Sequence, residues 1–506
     1  MQLADARELD RAAWAARAGK LRPDGRHVID GQYVEPASGR WFTDINPATQ
    51  TPVCEVACGD DADVDAAVQA ARRAHADGRW TRLPPRERVA ILRRFAELVD
   101  AHADAFAVRD VIDMGKPVGE MLAEDLPMSV ACFHYFAETI DKIDGQVTNT
   151  EADALHYVLR QPLGVVGCIT PWNYPMMMAA WKVAPALAAG NTVVLKPAEQ
   201  SPLSAGLLAE LFLEAGGPPG VFNVVHGHGE EAGTALALHD DVAKIGFTGS
   251  AAVGKQMLIY AGQSNMKRVT TECGGKSPQI VLSDAPDLDR AAAWAAAGIY
   301  ANQGEVCNAG SRLLVERSIH DAFVERLRAA AERDYRPGDP LDPATTMGSL
   351  VDRGQQASVQ GHIDTAMREG ARLECGGGPP ARPEGGAYIA PTLFTGVEPG
   401  MSIAREEVFG PVAAVIPVDG PEHAVEVAND TIYGLAAGVW TRDVGRAHRM
   451  ARDLEAGNIW VNCFGEGDMT QPWGGWKQSG NGRDKCFQSV LDHTQTKSVW
   501  VDIADR

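Results

Sequence analysis

Between Asp61 and Val99 the apolar positions repeat at helical spacing. Val64, Ala67, Val68 and Ala71 fall at i, i+3, i+4 and i+7, and Leu92, Phe95, Ala96 and Val99 repeat the series after Pro84-Pro85. The pattern predicts amphipathic helices, continuing through Val130 to Lys142. Residues 1–60 lack this period. They carry strand-like pieces around His27 to Tyr33 and turn signals at Pro36-Ala37-Ser38-Gly39 and Asn46-Pro47, which reads as an irregular arm. From Gln146 to Leu159 the chain becomes polar and alternating, as a hairpin-like excursion would.

Short apolar runs then alternate with helical segments. Gly164 to Ile169, Thr192 to Leu195, Val221 to Val225 and Val242 to Phe247 end at Pro171, Lys196-Pro197, His226-Gly227 and Thr248-Gly249. Helices lie between them, such as Ser204 to Glu214 closed by Gly216-Gly217. Buried-type strands joined by helices predict a parallel sheet, whose ligands bind at the carboxyl ends of the strands. Trp172, Asn173, Lys196, Glu199, Thr248, Gly249 and Ser250 stand at those ends. A second alternation runs from Gln279 to about Trp476, with strands near Arg312 to Val315, Val412 to Val418 and Asn458 to Asn462. Gly376 to Gly386 reads as a surface loop. Lys497 to Ile503 alternates as a terminal strand, which needs a sheet to join. Paired with the 146–159 excursion, it would make a small sheet used between subunits.

A chain of 506 residues is too long for one hydrophobic core, so two large domains or more are expected. The net charge of −20 is spread along the chain, which argues against nucleic acid or an anionic membrane as partner. Met1 to Glu8 is charged, so no secretory signal is expected, and the apolar stretch Met176 to Ala189 is broken by Lys182 and Pro185. A cytoplasmic location is the expectation. Nine scattered cysteines without a CxxC pair fit a reducing compartment, and no metal site is expected. Cys54 and Cys58 read as packing or surface residues.

One cysteine has unusual company. Cys307 lies in Ala301-Asn302-Gln303-Gly304-Glu305-Val306-Cys307-Asn308, small and polar residues after an Ala-rich helical segment. That places it on a loop leaving a helix, where nucleophiles are commonly held. Taken alone it is more often a packing residue or a bystander. The dinucleotide fingerprint G-x-G-x-x-G is missing; Gly227-His228-Gly229-Glu230-Glu231-Ala232-Gly233 is one residue too long.

Further motifs occur in a fixed order: Pro171-Trp172-Asn173-Tyr174-Pro175, Lys196-Pro197-Ala198-Glu199, Phe247-Thr248-Gly249-Ser250, Glu272-Cys273-Gly274-Gly275-Lys276-Ser277-Pro278, the Cys307 segment and Glu406-Glu407-Val408-Phe409-Gly410-Pro411. Together they resemble the aldehyde dehydrogenase superfamily over nearly the whole chain. The resemblance implies an α/β fold with two parallel-sheet α/β domains, a modified Rossmann cofactor domain (1–143 and 161–273) and a catalytic domain (274–480). A small β oligomerisation element (144–160 and 487–506) completes it.

It further implies that Cys307 attacks the aldehyde carbon, giving a thiohemiacetal and then a thioester. Asn173 matches the oxyanion donor, together with the Cys307 backbone N–H. Glu272 matches the general base that activates water for hydrolysis. By themselves, Asn173 beside prolines is a turn residue and Glu272 a solvated charge. Cys273, where the motif usually has leucine, is a packing change.

For the cofactor the resemblance implies NAD, with NADP possible. Lys196 and Glu199 match the grip on the adenosine ribose, where a carboxylate would repel a 2′-phosphate. Ser250 at a helix start suits the pyrophosphate. Glu407 and Phe409 match the nicotinamide end, and Trp172 lines the cleft. Ile169, Thr170, Pro171, Gly229, Gly233, Phe247, Thr248, Gly249 and Val253 complete the expected cofactor set.

The substrate wall is expected from Tyr174, Met177, Met178, Trp181 and Trp473, with Glu466 and Asp468 adding charge that would suit a cationic tail. Asp110 and Asp113 are expected to add charge at the mouth. The ending Gly474-Gly475-Trp476-Lys477-Gln478-Ser479-Gly480-Asn481-Gly482-Arg483-Asp484-Lys485 is similar to the branch acting on gamma-glutamyl-gamma-aminobutyraldehyde and related omega-amino aldehydes such as 4-aminobutyraldehyde, although Trp473 and Trp476 stand where that branch more often has Phe and Tyr. A homodimer or homotetramer taking a small aldehyde is implied. The alternatives are a broad-specificity aliphatic or aromatic aldehyde dehydrogenase, a coenzyme A-acylating enzyme, against which Glu272 counts, and a non-catalytic relative, against which the intact Cys307, Asn173 and Glu272 count.

Overall fold

The computed structural model describes residues 1–504. The last two positions of the expected 487–506 element lie outside the described residues. Two large sheets dominate. The first has eight strands in the order Gln32–Val34, His27–Ile29, Phe222–Val224, Thr192–Lys196, Val165–Ile169, Val242–Gly249, Arg268–Cys273 and Gly480–Asn481. Its five central strands are parallel and its outer pairs antiparallel. The strands of the parallel part are buried throughout in Val165–Ile169 and Thr192–Lys196, which explains why they read as continuous apolar runs.

Strand order matters more than strand number. From Val165–Ile169 the chain steps outward to Thr192–Lys196 and Phe222–Val224, then returns to the other side for Val242–Gly249 and Arg268–Cys273. The order therefore reverses between Val165–Ile169 and Val242–Gly249. A crevice opens at such a reversal, outside the carboxyl ends of the strands. Trp172, Asn173, Thr248, Gly249 and Ser250 follow those two ends.

The second sheet runs Arg372–Cys375, Thr392–Thr395, Val412–Val418, Arg312–Glu316, Pro278–Val281, Ala436–Trp440 and Asn458–Val461, all parallel except the first pair. Its strands Arg372–Cys375 and Thr392–Thr395 were not signalled by the apolar pattern, because the first is a polar edge. The residues 1–60 are more regular than expected: His27–Ile29 and Gln32–Val34 form a hairpin on the first sheet, and Trp41–Asn46 pairs with Thr51–Ala57.

The terminal strand Thr494–Asp502 pairs antiparallel with Ala154–Pro162 along its whole length, and Gln146–Val147 adds a third strand. This small sheet keeps Val147 75% and Trp500 57% exposed. Helices Asp61–Ala76 and Pro85–Ala101 occur where the period placed them; Asp60 caps the first with a capping box formed with Asp63. All nine cysteines are free thiols. Among the described residues no helix is long and apolar enough to cross a membrane, and no group of three His, Cys, Asp or Glu side chains is placed to hold a metal ion.

Candidate active site

A cavity of about 680 Å³ lies where the two sheets' strand ends meet, and Cys307, Asn173 and Glu272 all line it. Cys307 is half-buried in a turn beyond helix Leu288–Tyr300. The helix ends in a short turn in which Asn302 (φ 46°, ψ 39°) and Gln303 (φ 56°, ψ 21°) are both left-handed. Two successive non-glycine residues there are strained, at roughly 1–3 kcal/mol each. The surroundings hold them. Glu120 accepts the Asn302 backbone N–H at 3.0 Å, Gln303 Oε1 accepts that of Gly348 at 2.9 Å, and Glu305 Oε1 accepts that of Val351 at 3.0 Å. At Gly304 (φ 72°) a Cβ would stand 2.3 Å from the Gly410 backbone, so only glycine lets the 407–411 loop lie against the cysteine loop.

Asn173 is buried and tied to the same loop. Its Nδ2 donates to the Glu305 carbonyl at 2.7 Å, while Asn302 Nδ2 donates to the Asn173 carbonyl at 3.0 Å. Glu272 ends strand Arg268–Cys273, and neither carboxyl oxygen has a hydrogen-bond partner. Burial, then the nearby Asp484 carboxylate, hold its pKa well above the ordinary range, against the opposing pull of Lys182 and Arg483. Burial likewise pushes the Cys307 thiol up to about 12, helped by Glu407 and Glu272. The backbone N–H groups of Asn308 and Cys307 pull the other way.

The cavity has two ends. At one lie Pro171, Trp172, Thr248, Gly249, Ser250, Glu407 and Phe409. Trp172 meets Phe409 edge-on at 5.1 Å. Glu407 Oε1 accepts the Gly275 N–H at 3.0 Å, and burial raises its pKa to about 7. Thr248 Oγ1 is buried, lines the cavity and has no partner. Ser250 caps helix Ala251–Gln263, its Oγ accepting the Val253 N–H at 3.3 Å. Lys196 and Glu199 lie outside this cavity lining, paired at 3.1 Å. Burial raises the Glu199 carboxyl, but the Lys196 ammonium, a backbone N–H and His228 together outweigh it and the net pKa is lowered. Gly233 lies beside the Lys196 side chain, and space is open over Gly229. Ile169, Thr170 and Phe247 belong to the buried strand ends, while Val253 is exposed. The unpartnered Thr248 hydroxyl, the Ser250 helix start and the buried Glu407 carboxylate are donors and acceptors of the kind a dinucleotide needs.

The other end is aromatic. Tyr174, Met177, Met178 and Trp181 lie at i, i+3, i+4 and i+7 along helix Pro175–Ala188, forming one face toward the cavity. Behind Tyr174 the Lys116 ammonium sits 3.4 Å from the ring centroid, paired with Asp125 at 2.6 Å. Trp473 meets Trp181 at 5.7 Å. Glu466 lines the cavity; Asp468 does not, and accepts from Thr470 in an exposed turn.

Asp110 and Asp113 correct an expectation. Both are fully buried on helix Ala103–Met114 rather than at the mouth. Asp110 accepts from the Ser204 hydroxyl and Asp113 from the Leu203 N–H, so they anchor the start of a neighbouring helix. Several lining residues escaped sequence reasoning. Trp294, Ala297, Gly298 and Ala301 form a second helical face on the cavity, hidden in an Ala-rich run. Glu124 reaches it from a π-helical turn, Met121–Asp125, a form frequent at functional sites. Asp484 and Lys485 close the Gly474–Lys485 ending that carries the branch resemblance, but without periodicity after Gly482 nothing signalled their place on the cavity.

The aldehyde dehydrogenase family model matches residues 33–499. An Escherichia coli protein described as NADP/NAD-dependent aldehyde dehydrogenase PuuC is 47% identical over 493 residues, covering 97% of this chain and 98% of that protein. A Burkholderia cenocepacia structure titled gamma-glutamyl-gamma-aminobutyraldehyde dehydrogenase superposes with a TM-score of 0.96 at 50% identity, covering 98% of this chain and 100% of that one. A structure titled indole-3-acetaldehyde dehydrogenase complexed with NAD+ gives the same TM-score, identity and coverage.

Proposed function

This chain belongs to the aldehyde dehydrogenase family, and on that premise we propose that it oxidises an amine-derived aldehyde to its carboxylic acid through a Cys307 thiohemiacetal and thioester, with NAD as acceptor and NADP as the second choice. The observation that carries this reading is the meeting of Cys307, Asn173 and Glu272 on one cavity between the Thr248, Ser250 and Glu407 end and an aromatic wall.

The Cys307 thiol, whose pKa is raised to about 12, releases its proton to solvent in the cavity, and the thiolate so formed adds to the aldehyde carbon. The oxyanion formed is met by Asn173 Nδ2, whose second hydrogen is not used by Glu305, and by the Cys307 backbone N–H. NAD, held at the Trp172, Glu407 and Phe409 end of the cavity, would supply the hydride acceptor. Collapse of the tetrahedral adduct leaves a thioester on Cys307. Glu272, with both oxygens free, takes a proton from water as the water attacks that thioester. The acid leaves and the thiol is restored. Glu199 would accept the adenosine ribose hydroxyls of that cofactor, and Glu407 those of its nicotinamide ribose.

The amine-derived substrate class rests on the relatives' printed activities and on Glu466 at the cavity. The two large sheets support a division into a cofactor domain (1–143 and 161–273) and a catalytic domain (274–480), with strand Gly480–Asn481 returning to the edge of the first sheet. The small sheet, with Leu155, Leu159, Trp500 and Val501 exposed, supports assembly into a homodimer or homotetramer. A cytoplasmic location fits nine free thiols. The test is direct: NADH absorbance appears with an amine-derived aldehyde in the native protein and is abolished in Cys307→Ala. Unchanged turnover in that variant rejects the nucleophile.

A further inference from the structure

The aromatic end of the cavity already contains a cation. Lys485 lines the cavity with only 3% of its surface exposed, and its ammonium stands 5.3 Å from the Trp181 ring centroid and 5.6 Å from that of Trp473. Its one hydrogen bond, to Gln471 Oε1, is long at 3.5 Å. Among the described residues no carboxylate pairs with it. Two other buried lysines near the site differ. Lys116 is paired with Asp125 at 2.6 Å and Lys182 with Asp484 at 2.5 Å. A buried ammonium that serves packing alone is normally neutralised in that way. Besides the long Gln471 bond, Lys485 is stabilised by two aromatic faces and, at longer range, by Asp468, the Cys132 and Cys486 thiols and Glu124.

The backbone that delivers it is strained as well. Lys485 has φ 58° and ψ −160°, and Cys486 has φ 39°. Such conformations persist where the surroundings over-determine them, and they concentrate at binding sites. Consecutive side chains then serve different parts of the cavity: Asp484 faces Lys182 near Glu272, and Lys485 faces Trp181 and Trp473.

We propose that Lys485 is a specificity-determining residue that recognises a carboxylate at the far end of the aldehyde, so that this enzyme takes aldehydes carrying an acid group remote from the carbonyl. The proposal rests on the aldehyde-oxidising reading of the same cavity and narrows its substrate class. The Trp181 and Trp473 faces are engaged by a cation of the chain itself, so they do not serve a cationic tail. Glu124 and Glu466 at the cavity suit an ammonium placed beside that carboxylate, as in an amino-acid-like tail. A tail with an amine alone meets Lys485 with like charge.

The experiment compares 5-oxopentanoate with pentanal, aldehydes of one length that differ in the terminal carboxylate. The native enzyme is expected to show the larger kcat/KM for 5-oxopentanoate, with the advantage shrinking as salt rises. In Lys485→Met the ratio of the two kcat/KM values is expected to fall by roughly tenfold or more, through KM for 5-oxopentanoate, while Lys485→Arg retains the preference. A native enzyme that favours pentanal overturns the proposal without any variant. So does a Lys485→Met enzyme in which both substrates lose equally. Oxidation of neither aldehyde, nor of amine-derived aldehydes, by the native enzyme rejects the parent reading instead.

Discussion

The side-chain amide of Asn173 donates to the backbone carbonyl of Glu305, 2.7 Å away and two residues before Cys307. One of its two N–H groups is thereby committed to holding the Cys307 loop, and the other remains for the cavity. The residue expected to stabilise an oxyanion is also the one that fixes where the oxyanion will form. Replacing Asn173 with Ala removes both contributions. We expect kcat to fall by about 10²–10³-fold, the usual effect of losing one oxyanion donor. Steady-state NADH production measures it, and a loss below tenfold would exclude the role.

Cys307 is predicted to be a thiol, not a thiolate, in the free enzyme at neutral pH. Burial, Glu407 and Glu272 push it up to about 12. Alkylation of the Cys307 peptide by iodoacetamide, followed by mass spectrometry, is expected to quicken roughly tenfold per pH unit between 7 and 10. Glu272→Gln removes one of the two neighbouring carboxylates, lowers the thiol pKa and speeds alkylation at pH 8. A flat pH profile, or no acceleration in the variant, contradicts this arrangement.

The cofactor end carries its own pH signature. Burial raises the Glu407 carboxyl to about 7, against the opposing Gly275 N–H and Lys276 ammonium. Below that pH the group is protonated and loses its charge as an acceptor for ribose hydroxyls. The KM for NAD is therefore expected to rise as pH falls from 8 to 6, and Glu407→Gln should flatten the dependence. If the native and variant profiles run parallel, Glu407 does not hold the cofactor.

These residues were unequally visible in the sequence. Asn173, Thr248 and Ser250 follow apolar runs whose ends could be read directly, because buried parallel strands are continuous apolar segments. Met177, Met178 and Trp181 share a helix face that any helical count reveals. Asp110 and Asp113 were misplaced for the opposite reason: charge suggests a surface, and only the fold shows them turned onto Ser204 and Leu203. Lys485 was visible only as the last residue of the Gly474–Lys485 ending, with nothing to mark its place on the cavity. Its position depends on a strained backbone in a segment without period, and on two tryptophans contributed from elsewhere in the chain. Contacts of that kind are set by tertiary packing and not by local pattern.

Glu272 lies between opposing influences whose signs can be tested separately. Its pKa is held high first by burial and then by the Asp484 carboxylate, while Lys182, bonded to Asp484 at 2.5 Å, opposes the rise. As a general base it works only when ionised, so steady-state turnover should climb with pH along an acid limb that reports its titration. Glu272→Gln should keep a single-turnover burst of NADH yet slow steady turnover by about 10²-fold or more. Asp484→Asn removes a negative neighbour and frees the Lys182 charge, and both changes lower the Glu272 pKa, so the acid limb moves to lower pH. Lys182→Met removes the positive neighbour and moves it to higher pH. Shifts in one direction for both variants, or none in either, would show that the limb belongs to another group.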